Sequence, residues 1–308
     1  MRRAGSSPRQ CSASPCAIAV PASPRPSSAT VAIPFGFLGA IYSFLQDFRF
    51  SVSHSINTAA VGSTASHTDQ WKTGRIMTML GRPGFCVVTE ISRAPAELVA
   101  RIAQFPASIL GDALAHRGNM DAGISPIRTG TRLCGTAVTV STKPGDNLMA
   151  HVALKIAQPG DVIVIDAKGD QSCALWGDLM ARAAKAKGVA GLIVDGPIRD
   201  LEELIEFGWP VYSRGANPRG PEKNGPGEVN QPISCGGVAV NPGDIILGDG
   251  DGVIVIPPDM AETALEGGAK RVDAEKDILD AIESVDRWPF DITTPLRANG
   301  VLGPDETI

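Results

Sequence analysis

From residue 95 onward, apolar and polar positions alternate in two registers, one with a helical period and one with the period of a strand. Pro95–Gln104 and Ser108–Arg117 carry apolar residues three and four apart, which predicts two short amphipathic helices. A polar, turn-rich loop follows over Gly118–Gly130, and then LCGTAVTVS at Leu133–Ser141 alternates as a strand. Asp146–Ala157 reads as a helix capped by Asp146 or Asn147, and the turn Pro159-Gly160-Asp161 leads into a buried strand, Val162–Asp166. Beyond residue 200 the pattern predicts a helix over Leu201–Phe207 and strands at Pro210–Ser213, Ile233–Val240, Asp244–Gly248 and Gly252–Ile256. Pro258–Glu283 is an amphipathic helix that the pair Gly267-Gly268 is expected to break, and an irregular arm ends the chain. Gly215–Gln231 holds four Gly and three Pro, so no regular element is expected there; a loop of that length is a candidate to cover a site or reach a neighbouring subunit.

The densest chemistry lies in Gly177–Asp200, GDLMARAAKAKGVAGLIVDGPIRD. Gly177-Asp178 opens a helix, where unpaired backbone N–H groups and the positive dipole end favour an anion. Leu179–Lys187 is built from good helix formers, Gly188 ends it, and Val189–Val194 is an apolar run of core-strand length. Gly196-Pro197 turns the chain, and Arg199-Asp200 follows at the strand's C-terminal end, where ligands bind in open α/β sheets. Taken singly, each residue has an ordinary structural reading: Asp178 as a helix cap, Arg199-Asp200 as a solvated ion pair. Taken together, they bring a helix N-terminus, a guanidinium and two carboxylates to one place, a plausible seat for a small carboxylate and a hard metal ion.

Asp178, twenty residues, then Arg199-Asp200 is a D-x20-R-D pattern. With it the chain resembles the class II pyruvate aldolases, the 4-hydroxy-4-methyl-2-oxoglutarate / 4-carboxy-4-hydroxy-2-oxoadipate aldolases of the RraA-like superfamily. The resemblance runs from about Gly84 to about Glu283 and includes WGDLM, GLIVDGPIRD and SCGGVAVNPGDIILGDGDGVIVIP. It implies an α/β fold, a compact α-β-β-α sandwich of swivelling-domain character, assembled as homotrimers or homohexamers. It implies metal-dependent cleavage of a hydroxy-keto acid to release pyruvate, with oxaloacetate decarboxylation as a second reaction. Carried onto this chain, Asp200 binds Mg²⁺ or Mn²⁺, and Arg199 pairs with the substrate carboxylate or the enolate oxygen. The N–H groups of Gly177, Asp178, Leu179 and Met180 bind the carboxylate from the other side. Asp178 holds Arg199 or a catalytic water and takes part in proton transfer. Glu275, in RVDAEKD, is the positional match for an acidic residue that reaches the metal's waters from an adjacent subunit. Two rival functions share the fold: a non-enzymatic regulator of ribonuclease activity, and another metal-dependent lyase or decarboxylase of hydroxy- or keto-acids. The regulator branch generally lacks the Asp of the Arg-Asp pair, which this chain has.

Composition narrows the remaining classes. A net charge of −5 suggests no nucleic-acid partner, and the expected partner is a small keto acid. Six cysteines without a C-x-x-C read as reduced thiols in a cytoplasmic protein, and four histidines form no H-E-x-x-H or facial-triad spacing, which leaves a metal to oxygen donors. No G-x-G-x-x-G opens a helix, no P-loop exists, and DGDG at Asp249–Gly252 lacks the EF-hand spacing and reads as a hairpin turn. Residues 1–75 differ from the rest: they carry a net charge of +5 against −10 for the remainder, with no acidic residue before Asp47. Such a composition is expected to stay disordered, outside an aldolase domain at 84–285 and a C-terminal arm at 286–308. The apolar run Ala29–Leu45 is interrupted by Pro34, Gly36 and Gly39 and sits at the short limit for a membrane span, so no membrane partner is expected. Three readings stay open for this segment: a targeting leader, a weak anchor, or a stretch upstream of a true start at Met77 or Met79. The last fits best, because family-like sequence begins just after Met79.

Overall fold

The computed structural model describes residues 78–284 and 290–308; the expectations for residues 1–75 lie outside them. In chain order the elements are β1 (Met79–Arg82), β2 (Phe85–Val88), α1 (Ala96–Ile102), α2 (Ala107–Ala113), β3 (Ser125–Pro126), β4 (Leu133–Thr142), α3 (Leu148–Ile156) and β5 (Asp161–Asp166). Then come α4 (Asp178–Ala186), β6 (Gly191–Val194), α5 (Leu201–Phe207), β7 (Val211–Ser213), β8 (Gly227–Val229), β9 (Ile233–Cys235) and β10 (Val238–Val240). The last are β11 (Ile245–Asp249), β12 (Gly252–Ile256), a 3₁₀ turn at Pro258–Met260, α6 (Ala261–Ser284) and α7 (Thr293–Ala298).

Period-two alternation builds the layers. In β5, Ile163 and Ile165 face one way and Val162 and Val164 the other; in β11, Ile245 and Leu247 oppose Ile246. Ile163, Ile165, Leu192 and Val194 pack under α3, α4 and α5 through Met149, Leu154, Ala181, Ala184 and Leu204. Val162, Val164, Ile193 and Tyr212 meet Ile246, Val253 and Val255 in a middle layer. Ile245, Leu247, Ile254 and Ile256 pack under α1, α2 and α6 through Ile102, Leu110, Ala264 and Leu265. The result is helices, sheet, sheet, helices: the α-β-β-α sandwich that the resemblance implies.

β4 is the strand the sheets share. β4, β5, β6 and β7 run parallel in that order. The other edge of β4 is divided: its start pairs antiparallel with β11 at Leu133–Thr136, and its end with β8 at Val140–Thr142. β8 corrects the expectation of a wholly irregular Gly215–Gln231. Three residues, Gly227–Val229, form a strand because β2 and β4 flank them on both sides, a signal no local pattern carries. α6 is the second correction, since it runs unbroken through Gly267-Gly268. A Cβ on Gly267 would lie 2.8 Å from Ala113 Cβ and one on Gly268 2.9 Å from Leu110 Cδ2, so the glycines let two helices approach rather than ending one. α2 stops at Ala113, ahead of its expected end, where Ala115 and His116 turn to positive φ, and the expected irregular arm contains α7. DGDG closes the β11–β12 hairpin, and the Asp249 carboxylate accepts from Ala107 N at 2.7 Å, capping α2. No helix among the described residues is long and apolar enough to cross a membrane.

Candidate active site

The twenty residues between Asp178 and Arg199 are α4, its glycine stop at φ 78° and β6, a unit that leads away from Trp176 and returns beside it. On return, Ile198 forms a parallel bridge with Trp176, and Arg199 N donates to Trp176 O at 2.9 Å. This registry sets Gly177 and Asp178 against Arg199 and Asp200. Asp178 N donates to Asp200 Oδ2 at 3.0 Å, and Arg199 Nε lies 3.7 Å from the same oxygen. The first intrahelical bond of α4 is Ala181 N to Gly177 O, so the N–H groups of Leu179 and Met180 lie ahead of it and point out of the helix start. A Cβ at Gly177 would sit 2.5 Å from Asp200 Oδ2 and 3.1 Å from Arg199 Cγ, so a larger residue there would push the Asp200 carboxylate from its place.

Asp200 occupies the left-handed region, φ 57° and ψ 45°, directly before α5. Asp tolerates that conformation better than most residues. Its carboxylate thereby turns back onto α4 instead of capping its own helix. Asp178 has a different partner from the one expected: Arg182, one helical turn on, donates from Nε to Asp178 Oδ2 at 2.7 Å, and Arg199 does not hold it. The Arg182 guanidinium lies 4.6 Å over the Phe207 ring, and its hydrogen bond to Asp178 holds it in the charged form. Asp178 Oδ1 is buried and has no hydrogen-bond partner among the described residues.

The glycine- and proline-rich stretch runs along this site, as its length suggested. Ile198 N donates to Gly215 O, Asn217 N to Ile198 O and Ala174 N to Arg219 O, at 2.8–2.9 Å. A Cβ on Gly220 would lie 3.0 Å from Arg199 Nη1, so the loop backbone passes against the guanidinium. The buried Asp146 carboxylate, accepting from Asn224 N at 2.6 Å and Gly225 N at 2.8 Å, ties the loop to the start of α3. Sequence reasoning singled out Asp146 and Asn147 only as caps and passed over Arg182, although an Asp-Arg pair four apart on a helix was the available signal. Glu275 sits on the exposed half of α6 with Arg271 Nε at 3.9 Å. In one subunit it makes no bond to this cluster.

Among the described residues no group of three or more His, Cys, Asp or Glu is arranged to hold a metal ion. What the site offers is one half-exposed carboxylate, Asp200, fixed through one oxygen by Asp178 N–H. That donor set fits a hard cation that keeps most of its waters, as Mg²⁺ does, and does not fit a zinc-type site.

Comparison with known proteins decides the family. Residues 107–255 match the RraA-like family described as Aldolase/RraA. A protein of Halalkalibacterium halodurans, named "Putative 4-hydroxy-4-methyl-2-oxoglutarate aldolase", is 41% identical over 181 residues, 59% of this chain and 86% of that one. The chain belongs to the RraA-like family. A Burkholderia mallei protein of the same name is 37% identical over 124 residues, 40% of this chain and 74% of its own. Two solved structures are each 28% identical over 64% of the chain: an uncharacterized protein of Pseudomonas syringae covered to 93%, with a TM-score of 0.58, and Streptomyces coelicolor RraAS2 covered to 100%, with a TM-score of 0.55. RraAS2 is described as an unusual member of the RNase ES inhibitor RraA protein family.

Proposed function

We propose that this protein is a divalent-metal-dependent aldolase that cleaves 4-hydroxy-4-methyl-2-oxoglutarate or 4-carboxy-4-hydroxy-2-oxoadipate and releases pyruvate, with oxaloacetate decarboxylation as a second activity. The observation that carries the reading is the junction of Asp178 N–H, Asp200 and Arg199 at the start of α4, closed on one side by the loop at Gly220. The N–H groups of Leu179 and Met180 bind the substrate's α-carboxylate. The bond between the carbon next to the ketone and the hydroxyl-bearing carbon breaks; its electron pair becomes the pyruvate enolate, and the hydroxyl loses its proton as a carbonyl forms. Arg199 donates to the oxygen on which that negative charge develops. Asp178 takes or returns a proton at Oδ1, the oxygen that Arg182 leaves free. Asp200 holds the cation, Mg²⁺ or Mn²⁺, whose Lewis acidity stabilises the enolate when it is bound. Glu275 of an adjacent subunit, in a homotrimer or homohexamer, is proposed to order the waters around it.

The test is pyruvate release from both hydroxy-keto acids with Mg²⁺ or Mn²⁺ and after exhaustive chelation. Turnover with metal that vanishes with chelator is the expected result; no pyruvate from either substrate sinks the reading, and full activity after chelation sinks its metal. A second reading, regulation of a ribonuclease, draws on the description of RraAS2. The presence of Asp200 counts against it, and ribonuclease inhibition without keto-acid turnover would reverse the order.

A further inference from the structure

Five buried side-chain polar atoms lack a hydrogen-bond partner among the described residues: Asn147 Oδ1, His151 Nε2, Trp176 Nε1, Asp178 Oδ1 and Asn230 Oδ1. The first four belong to two segments that meet, the start of α3 and the start of α4. Asn147 Nδ2 donates to Leu175 O at 3.0 Å and approaches Met180 Sδ at 3.6 Å. That carbonyl fixes the orientation of the amide, because the amide oxygen could not face it. Asn147 is 4% exposed, and its own N–H donates to Glu222 O at 3.0 Å, so the loop closes the outer side. His151 lies one turn further along the same face of α3. Burial first, and the charge of Lys223 second, lower its pKa, which keeps the ring neutral near pH 7.

A buried acceptor whose amide nitrogen is already spent needs a donor. A hydroxy-keto acid presents carboxylate and ketone oxygens, which only accept, and a single donor, its hydroxyl group. We propose that Asn147 and His151 are the specificity-determining residues for that hydroxyl in the bound substrate, Asn147 Oδ1 accepting its hydrogen bond and His151 Nε2–H donating to its oxygen, with the proton itself leaving to Asp178 only as the carbon–carbon bond breaks. The proposal rests on the aldolase reading of the neighbouring Asp178, Arg199 and Asp200, and it divides the pocket between a keto-acid end at α4 and a hydroxyl end at α3.

Oxaloacetate, which has the keto-acid end and no such hydroxyl, supplies the comparison. The ratio of kcat/KM for 4-hydroxy-4-methyl-2-oxoglutarate to that for oxaloacetate is measured in the full chain and in Asn147→Leu and His151→Phe. A loss of the hydroxyl contact should lower this ratio by roughly tenfold to a hundredfold. A ratio within about twofold of the parent's in both variants overturns the proposal, because a merely structural role would depress both reactions together. The parent protein carries a second readout that needs no variant to fold. The imidazole nitrogen signals of His151 in NMR should shift with the hydroxy-keto acid and stay in place with 4-methyl-2-oxoglutarate; equal shifts with both overturn the proposal. A parent that turns over neither substrate is a different failure, that of the aldolase reading, and removes this proposal with it.

Discussion

Asp200 shows how much a single residue carries in this site. Its left-handed backbone aims the carboxylate, one oxygen fastens the start of α4, and the rest of the group faces solvent. Asn tolerates that backbone and Ala pays roughly 1 kcal/mol for it, so the two substitutions separate shape from charge. Asp200→Asn should keep the melting temperature and lose metal affinity, with some turnover returning at high Mn²⁺; Asp200→Ala should lose both, as calorimetry and metal titration would show. Arg199→Lys keeps the charge and loses the fork, so metal affinity should hold while kcat falls roughly a hundredfold, the scale of about 3 kcal/mol of transition-state stabilisation. A fall within about twofold for both aldol cleavage and oxaloacetate decarboxylation would return the pair to an ordinary surface ion pair. His151 yields a pH test. Its folded pKa is depressed, so its contribution is fully present above its unfolded value of about 6.5 and is lost as pH falls through the lower folded value. Chemical denaturation from pH 8 to pH 5 should show a steeper loss of stability in the parent than in His151→Gln. Asp178, Arg199 and Asp200 were legible as a spacing, because a helix and strand of fixed length turn sequence distance into contact. Asn147 was not, since nothing local tells that its amide is spent on Leu175 O, far along the chain, instead of on its own helix.

At the scale of elements, propensity misled where tertiary contact was stronger. Gly267 costs α6 about 1 kcal/mol relative to Ala in intrinsic terms. Ala there would nevertheless place its Cβ 2.8 Å from Ala113 Cβ and 3.4 Å from Ala113 Cα, and a backbone cannot swing aside as a side chain end can. Overpacking of this kind costs about 1–3 kcal/mol, which outweighs the gain in propensity. Gly267→Ala should therefore lower the melting temperature by a few degrees, about 2–4 °C per net kcal/mol for a domain of this size, although it installs the better helix former. Thermal unfolding followed by circular dichroism checks the sign. The same lesson explains β8: the strand Gly227–Val229 reads as a loop from its glycines and prolines, and it exists because β2 and β4 offer paired edges. Short helices and the strands β4, β5, β6 and β7 were legible by period, because each faces one layer or is buried on both sides. Which strand neighbours which was not, since that is decided by pairings far apart in sequence.

For the whole molecule, the three apolar clusters are assembled from residues 87–265, so a chain beginning at Met77 is expected to retain its fold and its turnover. A clear drop in its melting temperature against the full chain would count against that. Assembly as a trimer or hexamer is expected as well, and sedimentation decides between them. One further consequence comes from β4, whose two edges are both occupied: by β5 along one, and by β11 and β8 in succession along the other. Its register is completed by strands that follow much later in the chain, from Thr142 with Gly227 to Leu133 with Gly248. Closing such long loops is slow, so refolding is expected to wait on the arrival of the last third of the molecule. Once that has happened, β4 has no free edge from which to open. Its amide protons should be among the last to exchange with deuterated solvent, leaving at the rate of global unfolding, while those of the exposed end of α6 leave through local fraying.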